Sequence, residues 1–371
     1  MRVLMLSRAC ITGAYQRKLE EMAALPGVDL TVALPAEWQE NGRVVRLERA
    51  HTQGYRMLVL PVAVNGNFHL HFFPTLGHEL RRLRPDIVHI DEEPYNLATF
   101  LALRAARSVG ARALFFTWQN LARRYPPPFR QMERYVLDHS HYALVGNREA
   151  EAVLRGKGYR GPARLVPQFG VDPGHFRPLP GARPPDEPFV VGFAGRFIPG
   201  KGVGTLLEAL SGLQGAWQLR LAGSGPLQQA LAEQAGALGV SESVTFESHI
   251  PSTEMPRYYN QLHALVLPSL TMPNWKEQFG RVLIEAMACG VPVLGSSSGE
   301  IPNVIGEGGL VFPEGDVAAL RDCLQRLRAD PALRAELGRR GRARVEAHYT
   351  QAHIARTTVA VYREILGDKD S

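Results

Sequence analysis

The chain has 371 residues, 45% hydrophobic and 21% charged, with a formal net charge of +6. This is an ordinary globular composition on a length beyond most single cores, so it implies two domains and excludes a disordered or fibrous chain. Its three cysteines, Cys10, Cys289 and Cys323, stand apart from one another and from any Cys/His cluster, which argues against a disulfide framework or structural zinc.

The chain begins MRVLMLSRAC, a single arginine ahead of an apolar run too short for a signal peptide, and no stretch approaches the ~18 apolar residues that span a bilayer. The expectation is a cytoplasmic chain, neither secreted nor integral to a membrane. Short apolar strands then alternate with longer amphipathic stretches, the pattern of a parallel sheet wrapped by helices. In the first half the strands are predicted at 2–7, 28–34, 86–90, 112–117, 142–146 and 163–167, with helices over 14–25, 96–109 and 147–157. A Pro- and Gly-rich segment without periodicity follows and reads as a linker over 173–185. The second half repeats the plan with strands at 188–195, 217–223, 243–248, 263–268 and 291–295. The predicted fold is α/β: an N-terminal doubly wound, Rossmann-like domain over 1–172 and a second over 186–351. Domains of this kind bind ligands outside the carboxyl ends of their strands, so a cleft between two facing domains is the expected site.

The basic charge is spread along helices such as HELRRLRP, with no RNA-binding aromatic motif and no helix-turn-helix, so nucleic acid is not the expected partner. Chemistry concentrates in loops that follow strands. The segment GRFIPGKG, 195–202, has almost the spacing of a triphosphatase phosphate loop, but Gly202 stands where Ser or Thr would ligate magnesium. Arg196 and Lys201 remain as cations at a strand-to-helix turn, where helix amides also favour an anion. The plain alternative is a solvated basic turn. In EQFGRVLIEAMACGVPV, Glu277 and Glu285 lie seven residues apart around a helix start at Phe279-Gly280, with Val282 on its apolar face. Glu277 is placed to accept hydrogen bonds from sugar hydroxyls, and Glu285 to take a ribose diol.

These motifs, with FGVDPGHFRP, LAGSGPL, VTFESHIPSTEMPRYYNQLHALVLPS and SSSGEIPNVIGEGGLVF, run in one order over nearly the whole chain. Together they resemble the retaining glycosyltransferases of family 4, whose GT-B fold sets two Rossmann-like domains face to face. The resemblance implies a nucleoside diphosphate sugar donor, UDP-sugar first, and a hydroxyl acceptor in surface polysaccharide or glycolipid synthesis. It implies no essential metal or other cofactor, and a last helix, about 352–371, that crosses back onto the first domain. It gives Arg196 and Lys201 the donor diphosphate, Glu277 and the amides at Phe279 and Gly280 the sugar and phosphate, and Glu285 the ribose. Gly13, after the first strand, would let backbone approach that phosphate, and backbone near His249-Ile250 and Ser269 would read the base.

One departure stands out. Many relatives carry T-x-H after the fourth strand, where this chain reads Thr117-Trp118-Gln119-Asn120. Either Gln119 and Asn120 supply neutral hydrogen bonds there, or His89, at the end of DIVHI and followed by Asp91, Glu92 and Glu93, takes the place. His89 reads equally as a packed structural residue, and the acidic trio as a solvated loop. LARRYPPPFRQMERYV (121–136) fits peripheral contact with an anionic membrane, a lipid diphosphate acceptor or a plain basic loop. The rival functions are a nucleotide-sugar epimerase or hydrolase on this fold, a triphosphatase, and a non-catalytic nucleotide-sugar binder.

Overall fold

The structure, a computed structural model, describes residues 1–40, 42–182, 186–247 and 250–367. The chain forms two compact units, one of Met1–Phe169 with Gln351–Ser371 and one of Gly170–Thr350.

The first unit is built on seven parallel strands: β1 (Arg2–Leu6), β2 (Asp29–Pro35), β5 (Arg56–Leu60), β6 (Ile87–Ile90), β7 (Arg112–Thr117), β8 (Tyr142–Val145) and β9 (Ala163–Leu165). A small antiparallel hairpin of β3 (Glu37–Glu40) and β4 (Arg43–Arg46) stands apart from the sheet. The spatial order is β5-β2-β1-β6-β7-β8-β9. Strands such as β6 and β8 are buried at every position, which is why they read as mostly apolar runs, broken in β6 only by His89, rather than as alternating ones. Chain order reverses on the two sides of β1, and that switch point is where loops diverge and leave a crevice.

The core beneath β1 and β2 is shared with a distant helix. Ile354, Val359 and Tyr362 of helix Gln351–Leu366 pack with Val3, Met5, Leu19 and Met22 in one apolar cluster. Each large side chain buried there contributes roughly 1.5–3 kcal/mol.

The second unit carries β10 (Phe189–Ala194), β11 (Trp217–Ala222), β12 (Val244–Glu247), β13 (Ala264–Leu267), β14 (Val293–Ser296) and β15 (Gly309–Phe312), all parallel. Their order, β12-β11-β10-β13-β14-β15, reverses between β10 and β13. Both units are therefore parallel-sheet α/β domains. Strands β5 and β15 and the hairpin are additions to the sequence expectation.

Candidate active site

At the switch point of the second sheet, the chain leaves β10 through Gly195 and makes a tight turn, Pro199–Lys201, before helix Val203–Ser211. Gly202 closes this turn in the left-handed region, φ +64°, and a Cβ there would lie 1.9 Å from the Pro268 carbonyl oxygen. No side chain fits, so backbone packing itself excludes the hydroxyl of a magnesium-binding loop.

The loop that follows β13 returns to the same place. Lys201 Nζ donates to Glu277 Oε2 at 2.6 Å, and Ser269 Oγ donates to the same oxygen at 2.9 Å. The ammonium also lies 5.3 Å from the centre of the Trp275 ring. With side chains 16% and 10% exposed, the pair is largely withdrawn from water, where a charge-assisted bond is stronger and its geometry better held than at the surface. Two residues 76 positions apart, each assigned separately to a donor, are thus in direct contact. Arg196, close to Lys201 in sequence, is exposed, and its side chain makes no ion pair or hydrogen bond among the described residues.

Helix Arg281–Ala288 begins directly after Gly280, whose φ is +81°. Glu285, on its second turn, is buried with both oxygens engaged: Tyr259 Oη donates at 2.7 Å and Arg281 Nε lies 2.9 Å away. Burial together with this carboxylate holds the Tyr259 hydroxyl well above its ordinary pKa, so it stays a donor. Phe279 is buried edge-on to Tyr349 and Val282 is half-buried. Ile250 is half-buried, while His249 lies outside the described residues. Ser269, whose backbone was expected near the base, is fully buried with its hydroxyl on Glu277. Trp275, Tyr259 and Arg281 were not singled out from the sequence. A tryptophan in the polar loop PNWKEQFG, two residues before Glu277, was the available signal.

In the first unit Gly13 sits in the short turn Gly13–Tyr15, and its N–H donates to Glu48 Oε2 at 2.6 Å. A Cβ on Gly13 would approach Ala50 Cβ to 2.7 Å, so the glycine admits a neighbouring loop at close range. The amide expected to meet a phosphate is held by a carboxylate. His89 is buried within β6, its Nδ1 2.6 Å from Tyr362 Oη, and burial pushes its pKa down to about 4. It is a neutral packing residue between sheet and helix. The Gln119 side chain accepts from Lys157 Nζ at 2.8 Å and donates to Tyr125 Oη at 3.3 Å, and Asn120 is buried beside it.

The acidic trio is not a solvated loop: Asp91, Glu92 and Glu93 are at most 8% exposed. Glu93 accepts from the Thr117 hydroxyl at 2.6 Å and from the Trp118 N–H at 2.8 Å, while burial pushes its pKa up to about 7. Among the described residues, no three His, Cys, Asp or Glu side chains are grouped to hold a metal ion, and no helix is long and apolar enough to cross a membrane.

A family model described as "Glycosyl transferases group 1" matches residues 180–344, a span that includes Arg196, Lys201, Glu277 and Glu285. The GDP-mannose-dependent alpha-(1-6)-phosphatidylinositol monomannoside mannosyltransferase of Mycolicibacterium smegmatis is 35% identical over 340 residues, 85% of each chain. The chain belongs to the group 1 glycosyl transferases. A second relative of this glycosyl transferase, the D-inositol 3-phosphate glycosyltransferase of Mycobacterium marinum, is 32% identical over 263 residues. That match takes in 65% of this chain and 54% of the relative, so the chain spans about half of that protein's length. In fold the glycosyl transferase is similar to sucrose-phosphate synthase from Thermosynechococcus elongatus, with a TM-score of 0.75 at 23% identity over 99% of each chain. It is also similar to Anabaena HepE in complex with UDP and glucose, with a TM-score of 0.71 at 16% identity over 98% of this chain and 100% of that one.

Proposed function

We propose that this glycosyl transferase is a retaining, family 4 enzyme that moves a sugar from a nucleoside diphosphate sugar to a hydroxyl acceptor without a metal. The observation that carries the reading is the Lys201–Glu277 contact at the switch point of the second sheet. Breaking the bond between the anomeric carbon and the diphosphate builds negative charge on the leaving group. A cation already fixed in place stabilises that charge without reorganising during the reaction. Glu277 and Trp275 fix the Lys201 ammonium, and exposed Arg196 would close on the diphosphate as a second cation. Glu277 would also meet hydroxyls of the transferred sugar.

Glu285, set by Tyr259 and Arg281, would hold the ribose. The amides of Phe279 and Gly280, ahead of helix Arg281–Ala288, would meet phosphate, and Val282 and Ile250 would border the nucleotide. The Gly13 amide would be open to phosphate once Glu48 is displaced from it. UDP-sugar is the first donor to test: HepE was solved with UDP and glucose, although the mannosyltransferase relative is named for GDP-mannose. A glycolipid or surface polysaccharide product, made on the cytoplasmic face of a membrane, is favoured by that relative's lipid-linked acceptor and by exposed Arg123 and Arg124.

The test is a thermal-shift panel of UDP, GDP, ADP and their sugars, followed by NMR of the anomeric proton during donor hydrolysis or transfer. One nucleotide family should raise the melting temperature, and the first-formed product should keep the donor's anomeric configuration without added metal. A product of opposite configuration, or a strict requirement for a divalent ion, would overturn this reading.

A further inference from the structure

The two oxygens of Glu285 are held by two neighbours of different kind. Oε2 accepts from the Tyr259 hydroxyl at 2.7 Å, and Oε1 lies 2.9 Å from Arg281 Nε. The carboxylate has no other side-chain partner among the described residues. A carboxylate offers about four acceptor positions, so each oxygen keeps one open. With the residue only 7% exposed, a ligand that covers those positions must bring donors of its own.

The two grips come from different elements. Tyr259 is fully buried in helix Met255–Asn260, its ring centre 6.4 Å from that of Phe176 and 5.6 Å from that of Tyr258. The next residue, Asn260, donates to the Arg177 and Pro256 carbonyls and accepts from the Leu179 N–H, so this helix end is tied to the segment 177–179. The phenol therefore reaches Glu285 from a fixed place. Arg281 instead begins the helix that carries Glu285 and meets it one turn on, with its own side chain 41% exposed. Each oxygen is thus oriented by its own donor, and rotation of the carboxylate is stopped before any ligand arrives.

Resting on the ribose role given to Glu285 above, we infer that Tyr259 and Arg281 are specificity-determining positioning residues: each sets the one oxygen that accepts one hydroxyl of the ribose diol. Glu285 then reads a vicinal diol at two separately fixed points. A ring that lacks one hydroxyl leaves a desolvated acceptor unpaired, which is how a site built for a hydroxyl rejects the analogue without it. A hydrogen bond to a charged acceptor is worth roughly ten- to hundredfold in affinity. The share owed to fixing the carboxylate beforehand is smaller, about three- to tenfold.

The experiment is calorimetry on the full chain with UDP, GDP and ADP, each beside its 2′-deoxy and 3′-deoxy analogue. The members of a set share base and phosphates, so their affinity ratio isolates the diol. Wild type should bind the ribo form of its nucleotide about tenfold or more tightly than either analogue. Tyr259→Phe keeps the ring, and Arg281→Leu keeps a good helix former. Each should lower the discrimination against one analogue about threefold or more, and the two variants should act on different analogues. A role in packing alone would lower the melting temperature and every affinity together, leaving the ratios at wild-type values. The inference is overturned if either variant keeps both wild-type ratios, or if the two variants act alike on both analogues. Glu285→Gln should abolish the discrimination even then, which would leave the ribose role standing. A wild type that binds none of the nucleotides, or binds ribo and deoxy forms alike, removes the ribose role of Glu285 and the inference with it.

Discussion

Lys201 is held at three points: its backbone in a tight turn, its ammonium on Glu277, and its charge near the Trp275 ring. Removing a fixed charge of this kind costs on the order of 10²–10³ in turnover. Lys201→Ala should therefore cut kcat by about that factor under saturating donor, and steady-state kinetics that show near-normal kcat would remove it from the site. The variant also leaves Glu277 buried without its cation, so a loss of about 1–3 kcal/mol in stability should accompany the rate effect.

A second residue-scale consequence concerns Glu93. Its folded pKa of about 7 exceeds the ordinary 4.5, so between those values the unfolded chain loses a proton that the native chain keeps. Unfolding releases that proton, and stability falls as pH rises. The contribution is complete below about pH 4.5 and is gone above 7, a swing of up to about 3 kcal/mol. His89, with its folded pKa lowered by burial, slopes the opposite way: its contribution is present above pH 6.5 and lost as pH falls towards 4. The wild-type profile therefore conceals both. Glu93→Gln can still accept from Trp118 and pair with Thr117, so its melting temperature relative to wild type should climb from pH 4.5 to 7 and level off above. A gap that stays constant across that range would show that Glu93 is ionised throughout.

Among the elements, helix Arg148–Gly156 shows how a loop is tied to a cap. The Asn147 side chain accepts from the Ala150 N–H at 2.7 Å and donates to the Trp118 carbonyl at 3.2 Å. Asn147→Ala should cost about 1–2 kcal/mol in thermal or urea unfolding, with nucleotide affinity unchanged. Elements with a strong local cause were legible in the sequence. Strands such as β8 and β10 are buried at every position and read as apolar runs, and the turn at Gly200-Lys201 follows soon after β10. Strand β5 escaped because it lies at the sheet edge, with only Leu60 buried, and β15 because only Phe312 is buried in a segment that begins on Gly309 just after Gly306 and Gly308. The candidate site divides in the same way. Lys201 and Glu277 were readable as charged residues in loops after strands, but their contact was not, since it depends on β13 being the neighbour of β10. The grip of Glu48 on Gly13 left no trace for a similar reason: a loop 35 residues away folds back onto the turn.

For the whole molecule, the crossing of helix Gln351–Leu366 into the first unit decides stability. Tyr362→Phe deletes the partner of His89 Nδ1 inside the core and should cost about 1–3 kcal/mol. Ending the chain at Thr350 removes Ile354, Val359 and Tyr362 from the cluster that contains β1. The shortened chain should lose the cooperative melting of the first unit and bind a dye for exposed apolar surface. Retention of the full melting transition would show that the helix is dispensable.

That crossing also sets a schedule. On the ribosome the strands of the first unit emerge early, but the helix that completes their core is made only after residues 170–350. At 5–20 residues per second this is a delay of roughly 10–40 s. Through that interval Val3, Met5, Leu19 and Met22 lack one wall of their core, while the second unit needs nothing from the carboxyl terminus to close. The unit translated first is thus the last to be finished, and its exposed apolar face during synthesis is where a chaperone would be needed.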